Sequence, residues 1–238
     1  MFTANDGYGD GPGWAGVLSW GLSAMAGPVG GPEGLAPRTK AAEAELSDTD
    51  LVDMVQAGDA TAFRGLVERF QGRIYAHIYG MIRNREEARD LTQETFVKAY
   101  RNMAGFRREA KFTTWLYRIA SNVTIDHIRK HRRVRMSEFD ERIGHQDQGD
   151  EVWDPDHLRR NPGKDLERAQ LYQRIMDAMQ KLGEEQRQVV LLREIEGFSY
   201  REISETMGIP EGTVMSRLFY ARKKLQALLQ ETDDPRNK

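Results

Sequence analysis

From Ser47 to Leu229, apolar residues recur at threes and fours over most of the chain, and no alternating run bounded by turn residues exceeds a few positions. The pattern predicts helices and no strands. It is cleanest near the C-terminal end, in SYREISETMGIPEGTVMSRLFYARKK (Ser199–Lys224). Ser199 caps a short helix whose Ile203 and Met207 fall four apart. Gly208 allows a left-handed residue at its end, and Pro210 suits a first helical position, where no N–H is needed. The next helix places Val214, Leu218, Ala221, Leu225 and Leu228 along one side. Two helices joined by a tight turn containing glycine, the second with one apolar side, read as a helix-turn-helix.

Earlier segments carry the same period. Ser47 caps a helix bearing Leu51, Met54 and Val55. Ala62 to Arg83 follows, with Phe63, Leu66, Val67, Phe70, Ile74, His77, Ile78, Met81 and Ile82 on its inner side. Asn84 caps Arg85–Met103, where Ala88, Thr92, Phe96, Ala99 and Met103 align. Gly105 ends that helix, and Phe106 to Thr113 form a loop. Thr114 opens another helix through about Arg132, with Leu116, Ile119, Ala120, Val123 and Ile128 inward. Helices resume near Asp165 with Leu166, Ala169, Leu171, Ile175, Ala178 and Met179, then from Glu184 to Glu194, which supplies Val189, Val190 and Leu192.

The fold class is therefore all-α, with two small helical domains, residues 47–135 and 165–231. Residues 1–46, rich in glycine and proline, are expected to be a disordered leader without a specific task, unless translation begins later, at Met25. Residues 136–164 combine glycine, proline and acids with few apolar groups and read as a flexible linker. As a coil this would span roughly 30 Å on average and up to about 100 Å extended, enough for the domains to reach DNA sites more than one turn, about 34 Å, apart. Residues 232–238 are a polar tail.

The net charge of −2 over 238 residues argues against a general polyanion binder, but the distribution is uneven. Phe106–Arg135 holds nine Arg/Lys against two acids, and Met136–Arg168 holds five against ten. No cysteine is present, which excludes disulfides, thiol nucleophiles and thiolate-bound zinc. No apolar run approaches the roughly 18 residues of a membrane span. Glycines interrupt the mildly apolar Trp14–Ala26, and acids precede it, so a secretory signal is not indicated. The expectation is a cytoplasmic protein without membrane insertion.

Three groups of residues suggest binding chemistry. On the side of the last helix opposite its apolar stripe lie Ser216, Phe219, Tyr220 and Lys223, with Arg217 and Arg222 flanking. Such groups suit phosphates, base edges and thymine methyls in a major groove. The alternative is a helical hairpin with a merely solvated side, which has no need of two adjacent rings. In the basic block, Phe106, Phe112, Trp115 and Tyr117 are interleaved with Arg107, Arg108, Lys111 and Arg118. Cations that follow a backbone, mixed with rings on which unpaired bases stack, suit single-stranded DNA. Each stack is worth about 1–3 kcal/mol, comparable with the cost of drawing a base from the duplex. The other reading makes Phe106, Phe112 and Trp115 core residues. On the helix that Thr114 opens, Arg118, Asn122, Asp126 and Arg129 face outward, with Asn122 suited to a base edge and Arg118 and Arg129 to phosphates. The helix from Arg85 presents Asp90, Gln93, Glu94 and Val97, suited to a basic protein partner or simply to water.

The segments NREEARDLTQETFVKAYRNM, FRREAKFTTWLYRIASNVTIDHIRK and LGEEQRQVVLLREIEGFSYREISETMGIPEGTVMSRLFYARKKL resemble bacterial extracytoplasmic-function (ECF, group 4) sigma factors of the sigma-70 family. The likeness covers nearly all of Leu51–Leu229 except the linker. It implies a region 2 module, a linker and a region 4 module that bind core RNA polymerase reversibly; the chain is expected to act as a monomer without a cofactor or metal. DLTQETF is similar to the family's docking helix, which implies that Asp90, Gln93 and Glu94 meet the clamp helices of the β′ subunit. Gly105–Lys111 and the following helix match the part that recognises and melts the −10 element. By this likeness Phe106, Arg107, Lys111, Phe112, Trp115, Arg118, Asn122 and Arg129 are the candidate contacts, and Phe106 and Asn122 are the closest matches to the pocket for a flipped base. Region 4 would contact the β flap and read the −35 element through Glu211, Thr213, Met215, Ser216, Arg217, Phe219, Tyr220 and Lys223. Relatives often carry Arg or Lys where this chain has Met215 and Tyr220, so no relative's −35 consensus transfers directly. The resemblance also implies an anti-sigma factor as a partner of this chain.

Two other functional classes fit the sequence less completely. A stand-alone helix-turn-helix regulator would use the last domain but leave the basic block and the Asp90–Glu94 face without a task; binding to core polymerase separates the two. An enzyme would need convergent carboxylates or histidines. His77, His127, His131, His145 and His157 contain no HExxH pair, and no phosphate-binding glycine loop is present. No residue is assigned as catalytic, and His77 is expected to be a hydrogen-bonded residue near the core.

Overall fold

The computed structural model describes residues 46–137, 171 and 173–233. The expected leader, most of the linker and the helix start near Asp165 lie outside the described residues. Those that are described are helical or in turns, with no strand among them, so the all-α expectation holds. The described residues divide into two compact units: residues 46–79 with 83–123, and residues 80–82 with 124–137, 171 and 173–233.

The first unit begins with α1 (Asp48–Gln56). Ser47 caps it as expected: its Oγ accepts from the Asp50 N–H at 3.2 Å, and Asp50 accepts from the Ser47 N–H at 2.9 Å. The Ser47 contacts hold the Asp50 carboxyl below the usual carboxylate range. Helix α2 (Ala62–Ile82) ends at Arg83, which takes a left-handed conformation with φ of 59°. Asn84 then caps α3 (Arg85–Asn102), its Oδ1 accepting from the Glu86 and Glu87 N–H groups. A 3-10 turn (Met103–Gly105) leads to a loop and then to α4 (Phe112–Ser137), which opens two residues before Thr114.

Leu51, Phe63, Leu66, Ile74, Ile78 and Leu116 are fully enclosed in this unit. The Phe63 ring meets Phe96 edge-on at 6.4 Å and Tyr100 at 5.0 Å. Burying each such side chain contributes about 1.5–3 kcal/mol. Thr92 and Thr95, also inside, satisfy their hydroxyls by donating to the carbonyls of Ala88 and Leu91 four residues back. His77 sits in the core as expected, but without the expected hydrogen bond: neither ring nitrogen has a partner among the described residues. Its ring stands edge-on to Tyr117 at 5.2 Å. Burial pushes its pKa down to about 4.

The second unit, besides the end of α2 (80–82) and the C-terminal part of α4 (124–137), contains α5 (173–180), α6 (Glu184–Val190), a π-helical turn (Leu191–Ile195), α7 (Tyr200–Met207) and α8 (Glu211–Asp233). Ser199 and Glu202 form a reciprocal cap at the start of α7. Gly208 closes it with φ of 65°, a conformation that costs glycine little. The Ser204 hydroxyl donates to the Ile209 carbonyl at 2.5 Å, which fixes the turn. Pro210 stands one residue before α8, its carbonyl accepting from the Thr213 and Val214 N–H groups. Val214, Leu218 and Ala221 are buried against α6 and α7. Leu225 and Leu228 continue the stripe half-buried.

Candidate nucleic-acid interface

Because the buried stripe of α8 faces α6 and α7, the helix turns a second side outward. Phe219 is 63% exposed, Tyr220 59% and Met215 50%. Glu211, Ser216 and Lys223 are exposed as well, and Thr213 is half-buried. The Phe219 and Tyr220 rings meet edge-on at 5.4 Å. Large apolar groups left in water beside a lysine and a serine form a surface fit for thymine methyls, base edges and phosphates. Arg217 and Arg222, by contrast, are engaged within the unit. Arg217 pairs with Glu185 at 2.5 Å. Arg222 donates to Glu194 through two guanidinium nitrogens, at 3.1 and 2.5 Å. The Glu194 hydrogen bond, helped by its charge, raises the Arg222 pKa above the ordinary arginine value. Neither pairing was visible in the sequence, because the partners lie 32 and 28 positions away.

In the basic block the rings and the cations separate. Phe106, Phe112, Trp115 and Tyr117 are all buried, Phe106 at 8% and Trp115 at 9% exposure. Phe106, Phe112 and Trp115 form a mutual cluster with centroids 4.9–6.0 Å apart, and Phe70 joins it at 5.6 Å from Phe112. These rings therefore pack edge-on and tilted against one another in this structure and offer no open platform for bases. Phe112 and Trp115, three apart, fall on the inner side of α4, so its apolar spacing sends them to the core. Arg107, Arg108, Lys111, Arg118, Asn122 and Arg129 are exposed. The result is a loop and helix with cations outside and packed rings beneath.

On α3, Asp90 and Glu94 are exposed, with Gln93 and Val97 half-buried beside them. Glu94 makes an i, i+4 ion pair with Lys98 at 2.8 Å. The buried Ala88, Leu91, Thr92, Thr95 and Phe96 hold the opposite side of α3 to the core, which is why the acids point away. Sequence reasoning missed Asp53 and Gln56 of α1, both of which touch the loop after the 3-10 turn.

Among the described residues, no helix is long and apolar enough to cross a membrane. The family models for Sigma-70 region 2 and Sigma-70 region 4 match residues 66–134 and 172–225 respectively. The chain is 36% identical over 188 residues to the ECF RNA polymerase sigma-E factor of Haemophilus influenzae, covering 78% of this chain and 97% of that one. It is 38% identical over 192 residues to the RNA polymerase sigma-H factor of Pseudomonas aeruginosa, covering 77% and 96%. Its fold is similar to that of the sigma factor RpoE solved in complex with the anti-sigma factor NepR from Bartonella quintana, with a TM-score of 0.55 and 24% identity over 71% of this chain and 96% of that one. Two sigma-70 modules in order, and relatives matched almost from end to end, place the chain in the extracytoplasmic-function RNA polymerase sigma factors of the sigma-70 family, the alternative sigma factors of transcription initiation.

Proposed function

We propose that this sigma factor divides promoter recognition between its two modules, residues 47–135 and 165–231, and lends specificity and strand opening to a polymerase that does the chemistry. It has no catalytic residue of its own. The outward side of α8 reads the −35 element, with Ser216, Phe219, Tyr220 and Lys223 at its centre and Glu211, Thr213 and Met215 near the helix start. The observation that carries this reading is the exposure of Met215, Phe219 and Tyr220 on the side of α8 away from its packed stripe. A surface so apolar is costly in water unless a partner covers it.

The loop from Gly105 to Lys111 and the outward side of α4 take the −10 strand. Arg107, Lys111, Arg118 and Arg129 follow phosphates, and Asn122 offers its amide to a base edge. The buried rings serve as the floor that stiffens this loop. Phe106, the ring within the loop itself, must shift outward if it is to receive a base. Asp90, Gln93 and Glu94 dock on the β′ clamp helices of core polymerase, and the second module reaches the β flap. The protein works as a cytoplasmic monomer in complex with that enzyme. An anti-sigma factor is a further partner, a reading supported by the complex in which the Bartonella sigma factor was solved.

The test is run-off transcription with core polymerase on a genomic promoter library. Promoter-selective initiation that depends on the added chain is expected. No selective initiation on any template would refute the reading.

A further inference from the structure

Helix α1 carries none of the surfaces above, yet two of its side chains reach into the loop assigned to the −10 strand. Gln56 Nε2 donates to the carbonyl of Met103 at 3.0 Å and to that of Phe106 at 2.8 Å. These two carbonyls bracket the 3-10 turn, so one amide spans it. One turn earlier on α1, Asp53 pairs with the guanidinium of Arg108. Arg108 has φ of 59°, a left-handed conformation uncommon for a residue with a side chain and kept only where surrounding contacts hold it. Residues 53 and 56 are three apart and so share one side of the helix. Between the two contacts lies Arg107, exposed, with the Phe106–Phe112–Trp115 cluster beneath.

We infer that Gln56 and Asp53 are positioning residues for single-strand capture: α1 fixes the 103–108 backbone before DNA arrives, so binding does not have to order the loop. Preorganisation raises affinity by removing that ordering cost. The inference rests on the −10 reading of this loop, and the experiment separates the two.

The probe is a fluorescent single strand from the non-template −10 region of a promoter that the holoenzyme transcribes, bound to holoenzyme made with the full chain. Gln56→Met keeps length and neutrality but loses both N–H donors. It is expected to lower affinity for the strand about tenfold, roughly 1.4 kcal/mol, and to speed amide exchange at Phe106–Arg108. Affinity for −35 duplex should be unchanged, and the melting temperature should fall by only a few degrees, for the two part-buried hydrogen bonds lost. Asp53→Ala should act in the same direction, and Asp53→Glu should restore binding. Arg107→Ala and Asn122→Ala test the underlying reading. If these two weaken binding while Gln56→Met does not, the positioning role is overturned and the −10 reading stands. If neither they nor Gln56→Met change binding, both fall. Equal loss of strand affinity, duplex affinity and melting temperature in Gln56→Met would make Gln56 a general stability residue and also overturn the inference.

Discussion

Arg217 of α8 and Glu185 of α6 are held together at 2.5 Å, with the arginine side chain only 23% exposed. One cation of α8 is thereby committed to a neighbouring carboxylate. Glu185→Ala should release it toward a phosphate. The expected result is tighter −35 duplex binding and a slope of log K against log salt steeper by about one unit. Fluorescence anisotropy across a potassium chloride series checks this, and an unchanged slope would show that Arg217 does not reach DNA. Because the Glu185 carboxylate is 61% exposed, losing the pair should cost at most about 1 kcal/mol of stability.

The two sides of α8 should respond to truncation in opposite ways. Phe219→Ala, on the water side, should leave stability within about 0.5 kcal/mol but weaken −35 binding. Leu218→Ala, at 1% exposure, should destabilise the unit by about 2–5 kcal/mol. Thermal melts and duplex binding on both variants test the orientation of the helix.

Asp90→Ala combined with Glu94→Ala should abolish binding to core polymerase in a pull-down while the circular dichroism spectrum and melting temperature stay as in the parent. Both acids are exposed and contribute nothing to the core. Unchanged capture would remove α3 from the docking surface.

The ring cluster under the loop predicts a stability effect where an open stacking platform would give none. Trp115→Ala should cost about 3–5 kcal/mol, measured by denaturant titration. Phe106→Ala should both lower stability and reduce opening of a duplex promoter, while activity on a pre-melted template is largely kept. Equal loss on both templates would argue against a base-capturing role for Phe106.

His77 predicts an acid-sensitive fold. Its pKa lies near 4 in the folded chain, against an ordinary value of 6.5. Between these values the unfolded chain takes up a proton that the native ring refuses, so stability is full above about pH 6.5 and falls as pH drops toward 4. The loss from this one group reaches roughly 3 kcal/mol. His77→Leu should flatten the stability–pH curve across that window in urea titrations; a curve of unchanged steepness would exclude His77 as its source.

What could be read from the sequence was local. Ser47, Asn84 and Ser199 announce their helices through short side chains that reach N–H groups two or three residues on, and Gly208 announces an end by its freedom at positive φ. The stripe from Val214 to Leu228 likewise dictates which side of α8 is hidden. Long-range relations were not legible. Gln56 meets carbonyls 47 and 50 positions away, and nothing around Gln56 in the chain marks it for that task. The rings of the basic block were ambiguous for another reason: phenylalanine and tryptophan suit both a core and a nucleobase, and only packing decides between them.

Six successive residues from Arg187 to Leu192 are buried. A peripheral helix conceals one stripe; here each bearing about the axis is covered, across the junction of α6 with its widened turn. Such a spindle leaves no side on which substitutions can drift unnoticed. If α8 reads the promoter as proposed, preference has a second address: a methylene gained or lost in this enclosed segment should shift α8 without altering any group proposed to meet DNA.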